Sequence, residues 1–392
     1  MGLIFVVNCG SSSLKFTLIN PEDGKTVANG LAERLGTPEA VVNIRQPVKL
    51  EFLVPNATHG DALDKILSHI DGDIVGVGHR IVHGGEYFTE SVLVDDKVVE
   101  LIGAASDLAP LHNPAHVMGI EAARRKFPDL PHVVVFDTAF HQTMPKRAYL
   151  YALPYAMYTN EKVRKYGFHG TSHRYVAGEA AKLMGKPLED LHLITMHLGN
   201  GSSTCAIRNG KSYDTSMGLT PLEGLIMGTR SGDVDANLHE YLTRRTGCSL
   251  SEVTAMVNRE SGLLGISGLS NDMRTLAEAA ASGHQRAALA IDMFCFRLAK
   301  HILGMCASLD RIDALIFTGG IGENSAIVRE KTLSYLSLLR PQVDSELNNQ
   351  HGRPANGRIT TGDSPVLAMV VPTNEELVIA RETARFVPAL AS

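Results

Sequence analysis

One short pattern occurs twice in this chain and limits what it can fold into. Gly10-Ser11-Ser12-Ser13 follows the apolar run 3–7 and leads into the alternating run 14–19. Gly201-Ser202-Ser203-Thr204 follows the apolar run 191–198 and leads into Cys205-Ala206-Ile207-Arg208, with Asn209-Gly210 as a hairpin turn. Each reads as strand, tight Gly/Ser turn, strand. Positions 10 and 201 are 191 apart, close to half of the 392 residues. A unit repeated at half the chain length predicts duplicated domains. At roughly 150 residues per domain, two or three domains are expected, with ample chain for a large core.

The remaining signals alternate between strand and helix. Residues 74–77 and 132–136 read as strands, each ending at a polar cluster. Between them 113–127 has helical periodicity, with Asn113 able to cap and Pro114 in the first turn. A third glycine turn, Thr318-Gly319-Gly320-Ile321-Gly322-Glu323-Asn324, follows the strand 314–317 and precedes a helix over 325–338. Residues 284–309 form a long helix with Phe294, Leu298, Ile302 and Met305 on one face, a core or dimer helix. A last strand over 366–371, between Pro365 and Pro372, precedes a helix over 375–386. Strands alternating with helices predict an α/β fold.

Composition narrows the class of partner. Lys and Arg total 37 against 42 Asp and Glu, for a net charge of −5. No basic excess is present to drive nucleic-acid binding. No apolar run approaches 18 residues, so no membrane span is expected. The start of the chain lacks the basic region of a signal peptide. The five cysteines (Cys9, Cys205, Cys248, Cys295, Cys306) include no C-x-x-C pair and suit free thiols in a reducing cytoplasm.

Three groups of residues carry chemistry. The two hydroxyl-rich turns and the Gly-Gly-x-Gly turn each follow a strand and read as phosphate cradles, in which small residues let backbone N–H groups approach an anion. No G-x-x-x-x-G-K-[ST] and no G-x-G-x-x-G after the first strand is present, which excludes a P-loop and argues against a dinucleotide fold. His79 with His83, and His169 with His173, have the i, i+4 spacing of zinc ligands, but the glycines beside them make poor helices and H-E-x-x-H is absent. Hydrogen-bonded structural histidines are the plainer reading for His79, His83 and His173. Arg80 and Arg230 sit in glycine-rich turns, from which an arginine can grip carboxylate or phosphate with two prongs. Asp137 ends a strand, where it could orient an arginine, hold a metal's water or cap a turn.

Taken together these strings resemble the acetate kinase family. Asn8-Cys9-Gly10-Ser11-Ser12-Ser13-Leu14-Lys15 is similar to its N-terminal signature. Segments 78–85, 109–114, 136–141, 167–173, 197–202, 220–224, 228–233, 318–324 and 372–376 match further motifs in order, from residue 3 to about 385. The resemblance implies duplicated actin-like, ribonuclease H-like ATPase domains, the superfold of acetate and sugar kinases, heat-shock chaperones and actin. A first domain over 1–149 with the C-terminal helix 376–392 and a second, nucleotide-binding domain over 150–375 would close over ATP. It also implies the reaction ATP + acetate ⇌ ADP + acetyl phosphate, Mg²⁺ (or Mn²⁺) as cofactor, a homodimer and a cytoplasmic location.

The same resemblance carries residue roles. Asn8 and Glu375 would serve the metal, and Lys15 would approach the ATP phosphates. His197, Leu198, Gly199, Asn200, Gly201, Asp272, Met273, Arg274, Gly320, Ile321, Gly322, Glu323 and Asn324 would line the nucleotide; the family often carries an aromatic residue at position 273. Arg80 and Arg230 would hold the acetate carboxylate and the phosphoryl in flight, His169 would donate to that phosphoryl, and Asp137 would position Arg80 or the nucleophile. Val82, Leu111, Phe168 and Pro221 would form the methyl pocket. Propionate-preferring relatives often have Ala at position 82, so Val82 favours acetate, with propionate kinase as the alternative. A non-catalytic nucleotide switch on the same fold would not need the arginines, the histidine and an apolar pocket together, and a histidine-based metal hydrolase would need bound zinc.

Overall fold

The structure, a computed structural model, describes residues 2–110 and 112–388. The chain divides into two compact units, Met1–Gln142 with Asn374–Ser392, and Thr143–Thr373. The boundaries fall at 142/143 and 373/374, where the sequence suggested 149/150 and 375/376. Asn374 and Glu375 go with the first unit because they open the helix Glu375–Ala384, which packs on that unit's sheet.

The first unit's sheet contains β1 (Leu3–Gly10), β2 (Ser13–Ile19), β3 (Thr26–Glu33), β4 (Val41–Gln46), β5 (Leu50–Leu53), β6 (Ile74–Ile81), β7 (Val92–Leu93) and β8 (His132–Phe136). Among the described residues its order is β5-β4-β3-β2-β1-β6-β8-β7. The second unit contains β9 (His192–Leu198), β10 (Ser202–Arg208), β11 (Lys211–Thr215), β12 (Ala314–Thr318) and β13 (Leu367–Val370), in the order β11-β10-β9-β12-β13. The central five strands of the first unit, β3-β2-β1-β6-β8, repeat this pattern in direction as well as in order. In each, three antiparallel neighbours are followed by two parallel ones. The duplicated Gly/Ser turn is thus the tip of the same hairpin, β1–β2 in one unit and β9–β10 in the other.

β1 is apolar on both faces because both are covered. Leu3, Phe5, Val7 and Cys9 face a core shared with the helix His59–Leu67 and the helix Asn113–Lys126. On β6, glycine lets a helix come close. A Cβ on Gly78 would lie 2.5 Å from Thr383 Oγ1 and 2.6 Å from Ile379 Cγ2, both on the helix Glu375–Ala384. That close packing brings Glu375, at the helix start, toward Arg80 near the end of β6. In the second unit the long helix Gln285–Cys306 buries Ala287, Ile291, Phe294, Leu298 and Ile302 against β9, β10 and their neighbours.

Several local expectations are corrected. β6 extends to Ile81, so Arg80 is presented by a strand and not by a flexible turn. The pair His169/His173 does open a helix, Gly170–Met184, with His169 as its left-handed N-cap at φ 56°. Asn113 is the first helical residue and not the cap; it is buried and donates to the carbonyls of His83 and Ile102. The third glycine turn is itself a short helix, Gly319–Asn324, followed by Ala326–Ser334, whose Ser325 cap accepts from Val328 N–H. Its first residue, Gly319, has φ 74°, which glycine adopts without strain.

Candidate active site

The first unit gathers one cluster at the ends of β1, β6 and β8. Asn8 lies near the end of β1, directly across from Lys15 on β2. Arg80 leaves β6 and meets Asp137, the residue after β8, through two hydrogen bonds: Nε to Oδ1 at 3.0 Å and Nη2 to Oδ2 at 2.7 Å. Asp137 is buried, and its N–H donates to the Ile81 carbonyl, which fixes its backbone against β6. Glu375 Oε2 is 3.8 Å from Arg80 Nε. Asp137 holds the Arg80 guanidinium above its ordinary pKa against the opposing cost of burial, and Glu375 and Glu376 add to this. Lys15 forms an ion pair with Glu376. Burial works to raise the Glu376 carboxyl, but Lys15 and Arg80 outweigh it and hold it below the usual value. Both glutamates sit in the first turn of their helix, where negative charge is favoured.

Val82 is partly exposed, and its N–H donates to Nε2 of buried His116 at 3.3 Å. Burial, then the charge of Arg80, then His112 depress the His116 pKa to about 3. His116 is therefore a neutral acceptor behind Arg80. Sequence reasoning missed it, because a lone histidine inside a helix carries no local signal. Leu111 lies outside the described residues.

The second unit holds a different arrangement. His169 Nδ1 bonds Ser203 Oγ at 2.8 Å, and its ring stacks on His197 at 4.2 Å. Arg230 Nη1 donates to the Pro221 carbonyl at 2.8 Å. The loop carrying Arg230 is closed by Gly224 and Asp233, which exchange hydrogen bonds of 2.7 and 3.0 Å. Asp233 in turn meets His301 of the long helix at 3.1 Å. The Arg230 guanidinium bonds the Pro221 carbonyl and the Met227 sulfur, and burial pushes its pKa down. A Cβ built on Gly201 would lie 3.4 Å from His169 Nε2 and 3.5 Å from Arg230 Nη1. A guanidinium and an imidazole therefore converge on one small space above a glycine.

Three expected nucleotide segments adjoin each other in this unit. Asn271 Nδ2 donates to Asn200 Oδ1 at 3.0 Å, joining the β9–β10 turn to the 272–274 segment. A Cβ on Gly319 would fall 2.7 Å from the Leu198 carbonyl oxygen, so the helix Gly319–Asn324 starts against β9. Within these segments not every side chain is turned to a ligand. Met273 is buried in the core. Asp272 caps its own helix through Thr275 N–H. Glu323 Oε1 accepts from the N–H groups of Gly319 and Thr373 and so ties the loop together. Phe168 is buried, Pro221 is held through Arg230, and Glu223, within the 220–224 motif, binds Lys165 at 2.7 Å and Tyr151.

Among the described residues no group of three or more His, Cys, Asp or Glu could hold a metal. Asn8 and Glu375 supply two oxygen donors on neighbouring elements of one unit. That set fits Mg²⁺, which takes one or two carboxylates and completes its shell with phosphate and water.

A duplicated α/β fold with a Gly/Ser turn in each half is the architecture of phosphoryl-transfer enzymes of the actin-like ATPase class. The chain belongs to the acetokinase family, whose model matches residues 3–381. An acetate kinase from Deinococcus radiodurans is 56% identical, with 97% of this chain and 96% of that one covered. One from Pseudomonas aeruginosa is 54% identical, with 97% and 98% covered. Among solved structures, a propionate kinase from Francisella tularensis superposes with a TM-score of 0.92 at 45% identity, over 98% of this chain and 99% of that one. The acetate kinase of Porphyromonas gingivalis gives 0.93 at 39% identity over the whole of both chains.

Proposed function

We propose that the chain catalyses the reversible transfer ATP + acetate ⇌ ADP + acetyl phosphate by direct attack of the carboxylate on the γ-phosphorus. The observation that carries this reading is the convergence of Arg230 Nη1 and His169 Nε2 over Gly201. Acetate is ionised at neutral pH, so its oxygen needs no general base. What the reaction needs is alignment and neutralisation of negative charge.

The residues divide that task. Arg80, aligned by the Asp137 fork, presents its remaining N–H groups to the acetate carboxylate. Arg230 keeps one nitrogen on the Pro221 carbonyl and offers the others to the phosphoryl oxygens. His169 donates through Nε2 to the same group. Val82, Phe168 and Pro221 are the apolar residues assigned to the methyl group. Asn8 and Glu375 would hold Mg²⁺, which when bound draws negative charge from the phosphate oxygens.

Propionate is the second reading, supported by the likeness to the Francisella enzyme. A hydroxamate assay of acyl phosphate formation with C2 to C4 acids decides between them: the highest kcat/KM is expected for acetate, and a propionate preference would overturn that choice. Inversion of configuration at a chiral γ-phosphorus is expected for a single transfer, whereas retention would require a phosphoenzyme.

Leu289, Met293 and Phe296 form an exposed apolar row on the long helix, which supports a homodimer. Light scattering on the eluted protein should give twice the 42.3 kDa chain mass. None of the five cysteines forms a disulfide, and Cys9, Cys205 and Cys295 are buried, which suits a reducing cytoplasm.

A further inference from the structure

His169 is the last visible member of a longer chain of hydrogen bonds. Thr195 and His197 lie on one face of β9. Ser203, on β10, stands directly opposite His197. The helix Gly170–Met184 begins over this face, with His169 as its cap and His173 one turn further on. The bonds run Thr195 Oγ1 to His173 Nδ1 at 2.7 Å, His173 Nε2 to Ser203 Oγ at 2.8 Å, and Ser203 Oγ to His169 Nδ1 at 2.8 Å.

The direction of this chain follows from counting protons. Thr195, His173 and Ser203 are all fully buried. A hydroxyl carries one proton and needs an acceptor for it when no water is present. The Thr195 hydroxyl has one partner, His173 Nδ1, so it donates there. With Nδ1 accepting, the neutral His173 ring carries its proton on Nε2 and donates to Ser203. Ser203 then has one remaining bond, to His169 Nδ1, and donates into it. His169 Nδ1 is thereby an acceptor, and its proton resides on Nε2. That nitrogen is the one facing the space beside Arg230. The backbone supports the same pose: His169 is held at φ 56°, a conformation few non-glycine residues adopt.

We propose that Thr195, His173 and Ser203 are positioning residues that fix the tautomer of His169, so that it always presents an N–H, and never a lone pair, to the group in transfer. The inference rests on His169 acting on the phosphoryl, as read above. Without Ser203 the ring could place its proton on either nitrogen, and an Nε2 lone pair would repel a phosphoryl oxygen.

The test separates the tautomer from the activity. In ¹⁵N-histidine-labelled enzyme, the His169 signals are assigned by their loss in His169→Gln. Nδ1 should appear unprotonated and Nε2 protonated in the wild type at neutral pH, and Ser203→Ala should erase that preference. Turnover of Ser203→Ala should fall about tenfold to a hundredfold, the range typical of removing a group that orients a functional histidine. KM for acetate and ATP should stay within about twofold, since the residues that bind them are untouched. Ser203→Thr, which keeps the hydroxyl, should restore both signals and rate, and a thermal melt identifies any variant that loses rate by unfolding. A protonated Nδ1 in the wild type would overturn the relay. A full rate in folded Ser203→Ala would overturn its catalytic role. If His169→Gln itself kept wild-type turnover, the reading of His169 would fall and the positioning role with it, while the tautomer assignment would still be decided by the spectra.

Discussion

Arg80 and Asp137 meet through a planar two-pronged pair, 3.0 and 2.7 Å, in which the carboxylate is buried and the guanidinium is partly open. In the proposed reaction the open side is what remains for the substrate carboxylate. Asp137→Asn keeps the shape but replaces one acceptor with a donor, so the fork cannot close. Arg80 would then swing or lose its charge balance. Turnover should drop on the order of 10²-fold or more, in line with the several kcal/mol lost when one partner of a buried pair is removed. Arg80→Lys should fare little better, because an ammonium cannot make the fork. Steady-state kinetics on the two variants check this, and a loss below fivefold in Asp137→Asn would remove Asp137 from the site.

Much of each unit's arrangement was legible in the sequence, and the reasons are specific. The hairpin tip at Gly10-Ser11-Ser12-Ser13 and its copy at 201–204 are local, so pattern alone located both. Arg80, Asp137, Arg230 and His169 stand in short strings whose residue types already suggest anion binding. What pattern could not give was the context that long-range packing supplies. Strand β6 runs on through Arg80 because β8 pairs with it there, after β1 has paired with it as far as His79, although His79-Arg80 reads locally as the start of a loop. His173 looked structural, and it is buried, but only the pairing of β9 with β10 shows that Ser203 joins it to His169. Met273 carries no sign in its neighbours that the core would claim it.

The Val82 contact predicts how substrate choice can be shifted. Val82→Ala removes two methyl groups from the expected acyl pocket while leaving the N–H that binds His116 in place. One methylene is worth about 1–3 kcal/mol in such a pocket, or roughly 10- to 200-fold. The ratio of kcat/KM for propionate over acetate should rise within that range. An unchanged ratio would place the methyl group elsewhere.

His116 makes a prediction about acid stability. The unfolded chain takes up a proton at the ordinary histidine pKa near 6.5, whereas the folded protein resists protonation at His116 down to about 3. The unfolded state binds more protons in that window, so stability falls as pH drops from 6.5 toward 3, by about 1.4 kcal/mol per pH unit for one group. Burial lowers His79 and His132 in the same direction. His116→Gln, which retains an acceptor for the Val82 N–H, should lose one proton's worth of this slope. Urea midpoints between pH 4 and 6.5 for both proteins measure it, and parallel curves would refute it.

Glu375 ties metal use to the arginine cluster. Its carboxylate lies 3.8 Å from Arg80, and in the proposed reaction it would hold Mg²⁺ together with Asn8. Glu375→Gln removes the charge that attracts a divalent cation but leaves an oxygen. The Mg²⁺ concentration for half-maximal activity should rise about tenfold, comparable to the loss of one stabilising interaction of ~1.4 kcal/mol, and saturating Mg²⁺ should recover part of the rate. An unaltered Mg²⁺ titration would assign the metal to other ligands.

The sharpest test of the pocket uses the smallest change. Gly201 does not lie in the left-handed backbone region, so alanine can occupy the position without backbone strain. Its added methyl would sit 3.4 Å from His169 Nε2 and 3.5 Å from Arg230 Nη1, with the backbone at no closer than these side-chain contacts. Those distances are tight but tolerable for flexible side chains, so Gly201→Ala should fold with a melting temperature within a few degrees of the parent, as for substitutions costing less than about 1 kcal/mol. The methyl group nevertheless fills the space in which both donors meet. A phosphoryl oxygen and a methyl cannot share it, and a 1 Å displacement of the reacting group costs on the order of 10²-fold. Turnover should therefore collapse by at least that factor while the fold persists. A Gly201→Ala enzyme with near-normal turnover would mean that the phosphoryl does not pass between His169 and Arg230.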